Sequence, residues 1–115
     1  MISELKKIIE NPDADILIAE FDNRAVGMVE VYLREDKPDP QRVAYRYGHL
    51  QSLYVLQEFR GRGFGGCLVK ATEDWVRERK ASEIQLDTWE FKGDPIVFYE
   101  KCDYRTIRRK MIRGI

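Results

Sequence analysis

The stretch LYVLQEFRGRGFGGCLVKATEDW, residues 53–75, decides how the chain is read. Four glycines (Gly61, Gly63, Gly65, Gly66) and two arginines (Arg60, Arg62) stand between a strand-like LYVL and an amphipathic run. Glycines at a strand-to-helix junction let backbone N–H groups approach a ligand closely, and a helix start carries unpaired donors and a positive dipole end. The chemistry that uses such a junction is anion binding, above all a phosphate.

Around this junction, the apolar period of Phe64, Cys67/Leu68, Ala71 and Trp75 predicts a helix over Gly63–Lys80, with Glu73 and Arg77 as an i,i+4 pair. Upstream, DILIAEF (15–21), the tight turn DNR (22–24) and AVGMVEVYLRE (25–35) read as an antiparallel hairpin. The proline-bearing DKPDPQR (36–42) reads as a loop, and VAYRYGHLQSLYVL (43–56) as a long strand. Strict alternation along that strand puts Val43, Tyr45, Tyr47, His49, Gln51, Leu53 and Val55 on one face. Downstream, SEIQLDTWEF (82–91) reads as a strand parallel to 43–56, because a helix connects the two. In KGDPIVFYEK (92–101) Asp94 is placed to cap a helix and Pro95 to open it. ISELKKIIE at the start has helical spacing, and the basic C-terminal YRTIRRKMIRGI reads as a final strand.

The 115 residues make one domain, 1–115, and 43% apolar content calls for a packed core. No apolar run approaches the roughly 20 residues of a membrane span, and no signal peptide is recognisable. Cys67 and Cys102 lie outside any CxxC pattern and His49 is the single histidine, so neither a metal site nor a disulfide framework is expected, and a cytoplasmic setting fits. Residues 1–58 carry 7 Lys/Arg against 11 Asp/Glu, and residues 59–115 carry 13 against 9, so the glycine loop lies in the basic half. A nucleic-acid partner is not expected, since no aromatics are interleaved with the basic C-terminal residues as in a single-strand binder.

Gly61, Gly63 and Gly66 also satisfy GxGxxG, with Asp87 about 21 residues on. That dinucleotide pattern requires a series of βαβ units, whereas this loop follows an antiparallel hairpin and leaves 28 residues after Asp87. Arg60-x-x-Gly63-x-Gly65 instead resembles the R/Q-x-x-G-x-G/A signature of the GCN5-related N-acetyltransferase (GNAT) family. The resemblance extends from LYVLQEFRGRGFGG through PIVFYEKCDYR, which is similar to the family's FYEKxGF ending, and covers about residues 15–112.

It implies an α/β fold with a mixed sheet: antiparallel N-terminal strands and a splayed parallel pair flanked by helices. It implies an acyltransferase that passes the acetyl group of acetyl-CoA directly to a primary amine in a ternary complex, without metal. CoA pyrophosphate would rest on the amides of residues 61–66 (Gly61, Arg62, Gly63, Phe64, Gly65, Gly66), with charge from Arg60 and Arg62. The pantetheine arm would run along the backbone of Leu53, Tyr54 and Val55, one of whose N–H groups would polarise the thioester carbonyl. Lys92 could reach a CoA phosphate. Tyr99, matching the family tyrosine of FYEK, would serve the departing thiolate, since a phenol of pKa ~10 can share its proton with a thiolate of pKa ~8.5. Many relatives have a glutamate where this chain has Gln51, which cannot accept a proton but can hold a relay water; His49 and Glu90 are the other candidate bases. Against the family pattern, the usual first strand and helix are missing, which exposes a sheet edge and implies a homo-oligomer, most simply a dimer. A shortened, non-catalytic acyl-CoA-binding module is the alternative that Gln51 leaves open.

Overall fold

The computed structural model describes residues 4–7, 12–36, 45–88 and 95–115. Its centre is the hairpin of β2 (Ala14–Phe21) and β3 (Arg24–Asp36). Asp22 and Asn23 both take positive φ, 53° and 61°, the conformation a two-residue turn needs to match strand twist. Strand β4 (Tyr45–Val55) pairs antiparallel with β3, and the short β5 (Ile84–Gln85) pairs parallel with β4 at Gly48↔Ile84 and His49↔Gln85. The sheet order is β1-β2-β3-β4-β5, so no βαβ series of the dinucleotide-binding kind is present among the described residues.

Strand β1 (Glu4–Lys7) corrects the reading of the N-terminal segment as a helix: its residues pair antiparallel with β2, from Glu4↔Glu20 to Lys7↔Leu17. A helix of that length is marginal in water, while the outer edge of β2 offers a row of backbone donors and acceptors to pair with.

Helix α1 (Phe64–Glu78) covers one face of the sheet with Phe64, Leu68, Val69, Thr72, Trp75 and Val76. Beneath it lie Leu17, Ala19, Val26, Val29, Val31, Leu50 and Val55. Cys67, expected on the apolar face, is exposed; Val69 and Thr72 are buried instead. Glu73 and Arg77 form the expected pair at 3.8 Å. The helix closes without a glycine: Lys80 adopts φ 62° while the Ala81 and Lys80 N–H groups bond Val76 O and Arg77 O. One polar tie crosses the core, from Trp75 Nε1 to the buried Asp15 carboxylate at 3.3 Å. Arg79 stacks 3.8 Å from the Trp75 ring centroid and donates to Pro12 O.

Two expected strands differ. The segment 82–91 is strand only at Ile84–Gln85, because β4 bends away beyond His49; residues 89–91 lie outside the described residues. Residues 104–115 form no strand, and Ile107, Met111 and Ile112 are exposed. A two-residue β5 gives them no edge long enough to pair along. Helix α2 (Pro95–Lys101) opens at Pro95 as expected, while Asp94 lies outside the described residues. Among the described residues no helix is long and apolar enough to cross a membrane.

Gly48 sets how closely α1 approaches the sheet, since a Cβ there would sit 2.3 Å from Val76 Cγ2. Gly48→Ala is expected to lower unfolding free energy by roughly 1–3 kcal/mol, the cost of overpacking a filled core. Urea denaturation measures it, and an unchanged midpoint would show that α1 is not seated on Gly48.

Candidate functional site

The site begins where β4 loses register with β3. Val31 pairs with Leu50 but Glu30 pairs with Ser52, so Gln51 is an extra residue, a β-bulge. The bulge corrects the single-face reading of β4. Tyr47, His49 and Gln51 lie on the face away from α1, whereas Leu53 and Val55 join Gly48 and Leu50 on the helix side. His49 Nε2 lies 3.1 Å from Gln51 Oε1, so these two expected residues meet.

The same bulge lies where β4 and β5 part. Gly48 N–H bonds Glu83 O at 2.8 Å, and the ladder ends one residue later. Beyond it, Val55 O accepts Arg60 Nε at 2.9 Å, on the side away from β3, while Leu56 N–H bonds back to Val26 O of β3. By the alternation of an antiparallel ladder, the backbone groups of Leu53 and Val55 face the gap and those of Tyr54 face β3. The expected trio thus splits: Leu53 and Val55 present backbone to the gap, and Tyr54 presents a half-exposed ring against which Arg60 stacks at 5.4 Å.

At the end of the gap lies the glycine loop. After a 3₁₀ turn at Gln57–Phe59, Gly61 (φ 78°) and Gly63 (φ 89°) are left-handed, and Gly63 is the N-cap of α1 with no side-chain cap bond. Cys67 N–H is the first donor to close back, onto Gly63 O at 3.1 Å, so the amides of Phe64, Gly65 and Gly66 precede the helical ladder. A Cβ at Gly61 or Gly66 would meet nothing within 4 Å, which leaves room for a phosphate against the amides. Gly65 differs from expectation: a Cβ there would come 3.2 Å from the Phe98 ring, so its glycine admits α2. The Phe64 side chain is core, 5.8 and 6.0 Å from the Phe21 and Phe59 rings, leaving only its amide for a ligand. Arg62 stacks on Phe59 at 5.1 Å, which brings positive charge beside the loop; Arg24, on the same ring at 5.3 Å, is paired with Glu58 at 3.5 Å.

Helix α2 carries Tyr99, half-buried against the core, 5.0 Å from the Phe98 ring and 5.7 Å from that of Tyr104. Burial, then the neighbouring Cys102, pushes the Tyr99 hydroxyl above its usual 10, so it remains a proton donor at neutral pH. Asp103, where the resemblance has glycine, holds the left-handed turn at φ 70°. Lys92 and Glu90 lie outside the described residues. Sequence reasoning missed the pair across from the bulge: Tyr32 pairs with His49, and its hydroxyl donates to the Glu30 carboxylate. The only signal for it was the period of two along β3, which puts Glu30 and Tyr32 on one face. Among the described residues no cluster of His, Cys, Asp or Glu could hold a metal ion.

A splayed strand pair with an uncapped, glycine-lined helix start at its end defines an α/β protein with an anion-binding type of loop. The family model described as Acetyltransferase (GNAT) family matches residues 1–104, and the chain belongs to that family. It is 31% identical over 81 residues to N-alpha-acetyltransferase 30 of Schizosaccharomyces pombe, covering 68% of this chain and 54% of that protein. In fold it is similar to the BH1408 protein of Bacillus halodurans (TM-score 0.86, 17% identity, 92% of this chain and 69% of that one). It is likewise similar to aminoglycoside N-acetyltransferase AAC(6')-Iy in complex with CoA (TM-score 0.76, 20% identity, 90% of this chain and 76% of that one). The chain spans 51–66% of the length of the curated relatives it matches.

Gly63→Ala forces an L-residue into the left-handed region, so a stability loss of about 1–2 kcal/mol is expected. CoA affinity by calorimetry should fall at least ~10-fold as the amides turn away. Gly66→Ala, whose Cβ meets nothing, should instead raise stability by roughly 0.5–1 kcal/mol. Equal CoA affinity in wild type and Gly63→Ala would remove the loop from the binding site.

Proposed function

We propose that the protein transfers the acetyl group of acetyl-CoA to a primary amine by direct attack in a ternary complex. The observation that carries this reading is the gap between β4 and β5, flanked by the outward backbone of Leu53 and Val55 and closed by the bare amides of residues 63–66. Pyrophosphate would sit on those amides, with charge from Arg62, and Lys92 would reach a further phosphate. An N–H among Leu53–Val55 would hold the carbonyl oxygen as it gains charge. The neutral amine nitrogen bonds the thioester carbon, the C–S bond breaks, and the thiolate takes the Tyr99 hydroxyl proton. The ammonium's proton leaves through His49 or a water held by Gln51. That the curated relatives carry acetyltransferase names supports the reaction type, and the free thiols of Cys67 and Cys102 fit a reducing, cytoplasmic setting.

Gln51 favours one other reading, a module that binds acyl-CoA without turnover. Acetylation assays with a panel of amines separate the two, since CoA binding is common to both. The exposed Ile107, Met111 and Ile112, together with the edge strand β1, support a homodimer. Light scattering at micromolar concentration is expected to give twice the monomer mass, and a stable monomer would refute it.

Tyr99→Phe removes only the hydroxyl and should lower kcat by ~10²–10⁴-fold with little change in KM for acetyl-CoA. Because burial raises the phenol's pKa, the protonated, active form persists through neutrality. The alkaline limb of wild-type kcat should therefore lie above pH 10 and vanish in the variant. A variant with near wild-type kcat would make Tyr99 a packing residue.

A further inference from the structure

Removing a proton from an ammonium requires a carboxylate or a neutral base, and the glutamine at the bulge is neither. The face of the sheet away from α1 offers another group. Glu30 stands opposite Ser52, next to the extra residue Gln51, with Tyr32 opposite His49. The bulge therefore gathers Glu30, Tyr32, His49 and Gln51 into one patch directly beside the parting of β4 and β5. Two contacts bind the patch together: the Tyr32 hydroxyl donates to Glu30 Oε2, and His49 Nε2 meets Gln51 Oε1 at 3.1 Å.

We infer that Glu30, on β3, is the carboxylate that receives the acceptor's ammonium group and takes its proton in place of His49 or the Gln51 water, with Tyr32 as its positioning residue. The inference rests on the acetyltransferase reading and names the acceptor-binding residue within it. Two strand spacings of ~4.8 Å separate the Glu30 backbone from the middle of the gap. The Glu30 side chain rises from the open face with its carboxylate at Tyr32, so the amine, or relay water, crosses the face of β4 to meet it. Proton balance is simple. R–NH₃⁺ gives a proton to the Glu30 carboxylate, and the resulting R–NH₂ bonds the thioester carbon. The C–S bond breaks, the thiolate takes a proton from Tyr99, and the amide nitrogen's surplus proton restores the phenol through solvent.

Tyr32 fits the positioning role. Its hydrogen bond to Glu30, then burial, raises its pKa, so the hydroxyl stays a donor across the neutral range. Arg34, 5.5 Å from the Tyr32 ring, holds the ring from its other side along β3. On the β2 flank Glu30 faces Ile16, an apolar neighbour that favours a paired over a hydrated carboxylate. The acceptor class that results is a cationic primary amine presented to the open face of the sheet.

The test is steady-state acetylation of spermidine, kanamycin and an alanine-initiated hexapeptide, with acetyl-CoA saturating. Glu30→Gln keeps the shape and should lower kcat/KM for the amine by ~100-fold or more while CoA affinity is unchanged. Adding Gln51→Glu returns a carboxylate to the neighbouring strand and should restore about tenfold of that loss. Tyr32→Phe should raise the amine KM with a smaller effect on kcat, a split that loss of packing alone would not produce. Glu30→Gln within about twofold of wild type on a good acceptor would overturn the assignment and leave the acetyltransferase reading standing. If the wild type acetylates none of the amines, calorimetric titration of the CoA-saturated protein with spermidine decides. Glu30-dependent binding supports the cation site while turnover fails, and absence of binding overturns both readings.

Discussion

At Gln51 strand β4 has one residue more than β3 can pair, and the remainder of the architecture follows from how that residue is accommodated. A strand without the bulge would send Leu50 and Leu53 to opposite faces. With it, Gly48, Leu50, Leu53 and Val55 all turn toward α1, and a continuous apolar floor forms under Leu68 and Val76. The added local twist also carries β4 away from β5 after His49↔Gln85. Parallel pairing stops after two residues, and backbone that a regular sheet would consume is left facing outward at Leu53 and Val55. The gap is thus a consequence of register.

The elements legible in the sequence are those whose signals are local. Asp22–Asn23 can turn left-handed at low cost, and the hairpin around them followed from that chemistry. Helix α1 announced itself by its period, and the glycine loop by residues no ordinary helix start would use. What escaped depends on partners distant in sequence. No glycine or proline marks the bulge, which exists only as a mismatch between β3 and β4. ISELKKIIE has helical spacing, yet the available edge of β2 makes its residues 4–7 a strand. Residues 104–115 have strand-like content, but β5 offers them an edge of only two residues. Glu30 carries no motif at all, and only the register with Ser52 brings it beside Gln51.

The residues of the R-x-x-G-x-G pattern are each accounted for by the fold before any ligand is considered. Arg60 ties the loop to β4 through Val55 O and the Tyr54 ring. Gly63 supplies the left-handed cap, and Gly65 makes space for Phe98 of α2. The motif therefore specifies a loop geometry, one that leaves the first amides of α1 without a cap. A guanidinium already engaged twice contributes less to a phosphate than its position in the motif suggests, and Arg24 is likewise engaged by Phe59 and Glu58, so the charge beside the loop rests more on Arg62. This separates two kinds of information in the chain. On the proposed reading the loop, on the helix side, would select the acyl donor, whereas the acceptor would meet the opposite face, where side chains project from the strands. Strand positions such as Glu30 and Tyr32 can change without disturbing the loop. On that reading the donor would be legible from a short motif, and the acceptor only from the register of β3 against β4.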